Sequence, residues 1–233
     1  MKKILMLLLL TVVVNGYDVK TYIPKNAYKY LPTLYKTIDE IYPSFILPPY
    51  FASLIEQESC INLKHSRCWS PTSQLKTKRE QGVGFGQLTR TWHKNGKLRF
   101  DKISELRKKH YKYLKDLNWE TVKKRPDLQM KAIILLWKSN YERLPKHIDE
   151  YNKICMANSA YNAGFGRIRK DRKFCGLRKN CDPNIWFGNL EKHGTLSKRK
   201  TIYGRSYFKI NRDHVKNVMT IRIWKYINRF YKI

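Results

Sequence analysis

Acidic residues are scarce in this chain of 233 residues: 18 Asp and Glu stand against 48 Lys and Arg, for a formal net charge of +30. Such an imbalance calls for an anionic partner. Nucleic acid is one, through counterion release, and phospholipid head groups, anionic envelope polymers and peptidoglycan carboxylates are others. The basic residues run along the whole chain with no separate tail, so the charge reads as a solvated surface that concentrates the protein on its target. Long apolar runs are also lacking. The run at residues 4–14, behind Met1-Lys2-Lys3, is short for crossing a bilayer as an untilted helix and has the form of a secretory signal. The mature chain is then expected to begin near Gly16 or Tyr17. Val14, Asn15 and Gly16 match a cleavage site loosely, which leaves a retained anchor as the other outcome.

Paired Cys-x-x-Cys motifs are absent and His65 stands alone, which disfavours zinc; no metal or cofactor is expected. The five cysteines fit an exported, oxidising setting. Sequence-local pairing joins Cys60 to Cys68 and Cys175 to Cys181 and leaves Cys155 over, though spacing alone does not determine connectivity. Internal repeats are absent too. With 42% hydrophobic residues the chain has enough apolar side chain for one globular domain and little room for a second.

Convincing strand alternation is missing, and the expected fold class is mainly α. Residues 17–45, with Pro24, Pro32 and Pro43, read as short helices and turns. Residues 60–81 read as an irregular excursion, and Gly82-Val83-Gly84-Phe85-Gly86 as a loop or small hairpin too flexible for a helix interior. A second short hairpin around Tyr203 stays open. Ile103, Leu106, Tyr111, Leu114 and Leu117 interleave with Lys and Arg in a helical pattern, and residues 128–144 carry an apolar run suited to a buried helix. Tyr151, Ile154, Ala157 and Tyr161 mark a further helix, stopped by Gly164 and Gly166.

The carboxylate that stands out is Glu58. Its helix is entered through Pro48 and Pro49, and Phe51, Leu54, Ile55 and Glu58 share one stripe while Glu56 points elsewhere. A carboxyl group on a buried face loses hydration of its charged form and keeps its proton to higher pH, which is what a general acid needs. The bland alternative is a helix end, with Glu58 turned to solvent or paired with a Lys or Arg.

Glu58-Ser59, then Gly84-Phe85-Gly86-Gln87-Leu88, then Ala160-Tyr161-Asn162-Ala163-Gly164 occur in that order. The chain thereby resembles the lytic transglycosylase domain of the goose-type lysozyme-like superfamily, and looks like the transglycosylases carried by bacteriophages. The resemblance covers roughly residues 46–168 and extends to Asn211-Arg212-Asp213-His214-Val215-Lys216-Asn217-Val218. It implies a lysozyme-like helical domain with a catalytic core at 46–168, which the signal at 1–16 and a lead-in at 17–45 precede and a C-terminal extension at 169–233 completes. It implies Glu58 as catalytic acid and base, and Ser59, Gly84, Gln87, Tyr161 and Asn162 as residues that support the site or bind glycan, with the Tyr161 hydroxyl able to bond Glu58. Two departures stand out. Gly84-Phe85-Gly86-Gln87 replaces the family's frequent Gly-Leu-Met-Gln, and Ile210 and His214 stand where many members carry glutamate and tyrosine, so no catalytic support is carried over from that last segment.

Hydrolysing a glycosidic bond usually takes two carboxylates, whereas a transglycosylase can use one, because the attacking hydroxyl belongs to the substrate. The implied activity is therefore cleavage of peptidoglycan between N-acetylmuramic acid and N-acetylglucosamine with formation of 1,6-anhydromuramic ends. The protein would be an exported monomer in the periplasm or envelope. A hydrolytic muramidase using Glu80 as second carboxylate is the nearest alternative. A non-enzymatic cationic protein binding the envelope or nucleic acid is the distant one; the intact Glu58, Gln87, Tyr161 and Asn162 speak against it.

Overall fold

The computed structural model describes residues 21–201 and 204–230. The signal or anchor at residues 1–16, the start of the lead-in and Tyr203 lie outside the described residues. Helix makes up 55% of the structure and the remainder includes one small antiparallel sheet, so the chain is mainly α.

The first helix, α1 (Lys25–Ile41), replaces the short helices and turns expected of the lead-in. Pro32 lies inside it. An internal proline costs a hydrogen bond and a clash of about 3 kcal/mol, but Ala27, Leu31, Leu34, Ile38 and Ile41 form a continuous buried stripe that outweighs it. Helix α2 (Pro49–Ser59) starts at its proline as expected. Its face assignment needs correction. Tyr50, Ala52, Ser53 and Glu56 are buried as well as Phe51, Leu54 and Ile55, so α2 has no solvent face and Glu56 is fully enclosed.

After the Cys60–Cys68 disulfide come four strands: β1 (Gln74–Lys76), β2 (Glu80–Val83), β3 (Leu88–Trp92) and β4 (Leu98–Asp101). They pair antiparallel in sequence order. The irregular excursion thus ends at residue 73, and a sheet rather than one hairpin surrounds the glycine cluster. Helices α3 (Lys102–Lys109), the single turn α4 (Tyr111–Leu114), α5 (Pro126–Glu142), α6 (Glu150–Ala163) and α7 (Phe165–Gly176) follow. Gly164 ends α6 at φ +86°, but Gly166 lies inside the next helix. Finally α8 (Tyr207–Lys216) passes through a π-helical stretch (Asn217–Arg222) into α9 (Ile223–Phe230).

One buried cluster runs from Ile23 to Tyr226, so lead-in and C-terminal helices share the core with the middle of the chain. Phe45, Tyr50, Phe51, Trp137 and Tyr141 make its aromatic centre, with ring centroids 5.0–5.3 Å apart in several pairs. Among the described residues no helix is long and apolar enough to cross a membrane. The second disulfide joins Cys175 to Cys181, as expected, and the two bridges fit an oxidising compartment. Cys155 is free and buried, and burial pushes its thiol well up, assisted by the charges of Asp149 and Glu191. We expect native protein to resist iodoacetamide at pH 8 and to label once after denaturation, because the thiolate is the reactive form. Labelling of the native fold would contradict this burial.

Candidate active site

The β2–β3 turn is built by Gly84 to Gln87, closed by the pair Val83 and Leu88. Gly84 sits at φ +77°, and a Cβ there would collide with the Gln129 amide, so glycine is required twice over. Gln129, buried on α5, accepts from the Phe85 amide at 2.8 Å and donates to the carbonyls of Val122 and Pro71 at 2.6 and 3.0 Å. The turn is thereby anchored to α5. Gly86 packs where a side chain would strike Ile133 and the Tyr161 hydroxyl. Both glycines serve close packing of the turn, while Gly86 also opens onto a groove.

That groove, about 530 Å³, runs between the sheet, α3, α5 and the end of α6. Such a volume lies in the range of ligand sites. Gln87, Tyr161 and Asn162 all line it, as does Glu80 on β2. Gln87 holds a left-handed backbone at φ +45° and donates from Nε2 to the Gly84 carbonyl at 3.0 Å. A non-glycine residue in this region is sparsely populated, a strain common at functional sites. Lys102, Glu105, Lys109 and Arg143 add charge to the rim; Lys102 pairs with Glu105 at 2.6 Å and Arg143 covers the Phe165 ring at 3.8 Å. Sequence reasoning missed these four, three of them on α3 and Arg143 just past the end of α5, all outside the motifs.

Tyr161 connects the parts. Its hydroxyl donates to the Gly86 carbonyl at 2.9 Å, and its ionisation is pushed well up by burial and by the negative charge of Glu58. The expected bond from Tyr161 to Glu58 is not made. Glu58 does not line the groove and shows 14% of its side chain to solvent, less enclosed than Glu56. Its partner is His214, whose Nε2 lies 2.7 Å from Glu58 Oε1.

Ser59, the next residue along α2, is turned into the interior. It is buried, donates to the Ile55 carbonyl at 2.7 Å and accepts from the Trp69 amide at 3.2 Å. Asn162 is steadied by Asn211, whose Nδ2 donates to Asn162 Oδ1 at 3.0 Å and to the Ser159 carbonyl at 3.1 Å. Arg212 in turn bonds Asn211 Oδ1 at 2.8 Å and pairs with buried Asp171 at 2.8 Å. The last motif, from which no support was expected, therefore supplies the partners of both Glu58 and Asn162. A readable signal exists in the residue type alone: a histidine ring N–H can donate to a carboxylate.

No protein-family model and no curated protein matches this chain.

Proposed function

We propose that the protein is a peptidoglycan lytic transglycosylase on a lysozyme-like fold, with Glu58 as its single acid and base. One observation carries the reading: three motifs distant in sequence meet at one place. Tyr161 of the third motif bonds Gly86 of the second, and it feels the charge of Glu58 of the first. Gln87, Tyr161 and Asn162 line one groove, with Glu58 outside its lining.

In this reaction Glu58 donates its proton to the oxygen between N-acetylmuramic acid and N-acetylglucosamine as that bond breaks. The resulting carboxylate then takes the proton of the muramic 6-hydroxyl while its oxygen bonds the anomeric carbon. Glu58 ends protonated, as it began, and no water is consumed. Gln87, Asn162 and the turn backbone present donors and acceptors for N-acetyl groups, and an excess of +30 draws the protein to the anionic wall.

A hydrolytic muramidase is the second reading, favoured by the position of Glu80 on the groove. Digestion of purified sacculi followed by mass spectrometry separates the two. We expect 1,6-anhydromuramic ends, lighter by one water than reducing ends, and Glu80→Gln with nearly full activity. Predominantly reducing ends, lost with Glu80→Gln, would transfer the assignment to hydrolysis.

A further inference from the structure

We propose that His214 is the positioning residue of Glu58: its Nε2–H holds Oε1, keeps the acid proton on Oε2, and stabilises the carboxylate formed once that proton has left. The inference rests on the reading of Glu58 as the acid. It deepens that reading with a residue from α8.

The geometry carries the argument. His214 is 4% exposed, its Nε2 lies 2.7 Å from Glu58 Oε1, and its Nδ1 is buried with no partner among the described residues. A buried N–H without an acceptor costs more than a bare lone pair, so the hydrogen belongs on Nε2, where an acceptor waits, and Nδ1 stays bare. With Oε1 occupied as an acceptor, the carboxyl proton is left to Oε2, which is the oxygen free to face a substrate. Apart from exposed Lys216 on α8, the other charged groups on the two helices are engaged elsewhere. On α2, Glu56 is held by Arg222 and Lys225, and on α8 Arg212 pairs with Asp171 and Asp213 with Lys209. None of these competes for the His214 ring.

The same bond changes strength during the reaction. To a neutral carboxyl it is an ordinary hydrogen bond, and to the carboxylate it becomes charge-assisted and roughly twice as strong. An interaction that strengthens as charge develops lowers the barrier without tightening ground-state binding. His214 should therefore act on kcat and leave KM nearly alone.

The test compares two amides of different reach. A glutamine at this position can place its Nε2–H where the imidazole places its own, while asparagine stops short. On soluble peptidoglycan fragments we expect His214→Asn to lose about 10²-fold in kcat, in the range of a removed oxyanion donor, with KM changed less than about twofold. His214→Gln should recover most of that loss. If His214→Asn does not fold, by circular dichroism and thermal melting, His214→Leu takes its place. Equal losses in the asparagine and glutamine variants, an unchanged kcat, or a loss confined to KM would each overturn the proposal. Glu58→Gln is measured beside them. Full activity in that variant would remove the underlying reading, whereas an inactive Glu58→Gln with an indifferent His214→Asn would remove only the role of His214.

Discussion

Glu56→Gln is expected to destabilise the fold by about 3–5 kcal/mol, the cost of breaking a buried ion pair from one side. Glu56 is fully enclosed, with Arg222 Nη1 at 2.5 Å, Lys225 Nζ at 2.8 Å and the Tyr226 hydroxyl donating at 2.6 Å. Trp69 donates to that hydroxyl at 3.0 Å, so the cluster ties α2 to the π-helical stretch, α9 and the disulfide loop. Lys225 shows how finely the charges are balanced: burial pushes its ammonium down, and Glu56 pushes it back up. With an amide at position 56 the burial and the positive charge of Arg222 remain, both pushing the Lys225 ammonium down, and two cations share the interior without a counter-charge. Thermal melting should fall by roughly 6–20 °C at this chain length. A loss below about 1 kcal/mol would mean that water reaches the cluster. The double variant Glu56→Gln with Lys225→Met should regain part of the loss, since a neutral packed pair avoids the unpartnered cation.

The stripe argument for α2 expects Glu56→Gln to be nearly neutral, and its failure has a physical cause. Periodicity separates a buried face from a wet one only where a wet face exists. Phe51, Leu54 and Ile55 are buried as read, but so are Ala52 and Ser53, and on a helix surrounded by others the residue type at each position no longer reports exposure. The cations that neutralise Glu56 lie more than 160 residues away, at Arg222 and Lys225, a distance that no local pattern spans. The sheet was hidden for the opposite reason. Its strands have three to five residues, and the outer ones, β1 and β4, are half-buried or exposed throughout, so they carry no alternation to read. The short-range features were legible: Pro49 at the start of α2, the two disulfides across short loops, the buried α5 and the glycine stop of α6. The sequence singled out Tyr161, which lines the groove, but not its partner. Its hydroxyl goes to the Gly86 carbonyl, and the bond to Glu58 comes from His214.

Glu58→Gln is expected to act in the opposite way to its neighbour two positions back, removing turnover by about 10³-fold or more while leaving the fold intact. An amide fills the same space, and its oxygen still accepts from His214 Nε2, so the 2.7 Å contact survives. No ion pair to Lys or Arg is lost, because among the described residues Glu58 pairs only with His214. The amide cannot release a proton to a glycosidic oxygen or accept one from a 6-hydroxyl, and both halves of the proposed reaction fail together. The proposed binding of glycan through Gln87, Asn162 and the turn backbone does not call on that proton, so affinity for sacculi should stay close to that of the unaltered protein. The decisive comparison sets melting temperature, sacculus binding and anhydro-end release side by side for Glu56→Gln and Glu58→Gln. The first should melt early, and the second should melt normally, bind normally and release nothing. If Glu58→Gln kept more than a few per cent of turnover, the acid would have to be sought on the groove itself, where Glu80 and Glu105 are the carboxylates present.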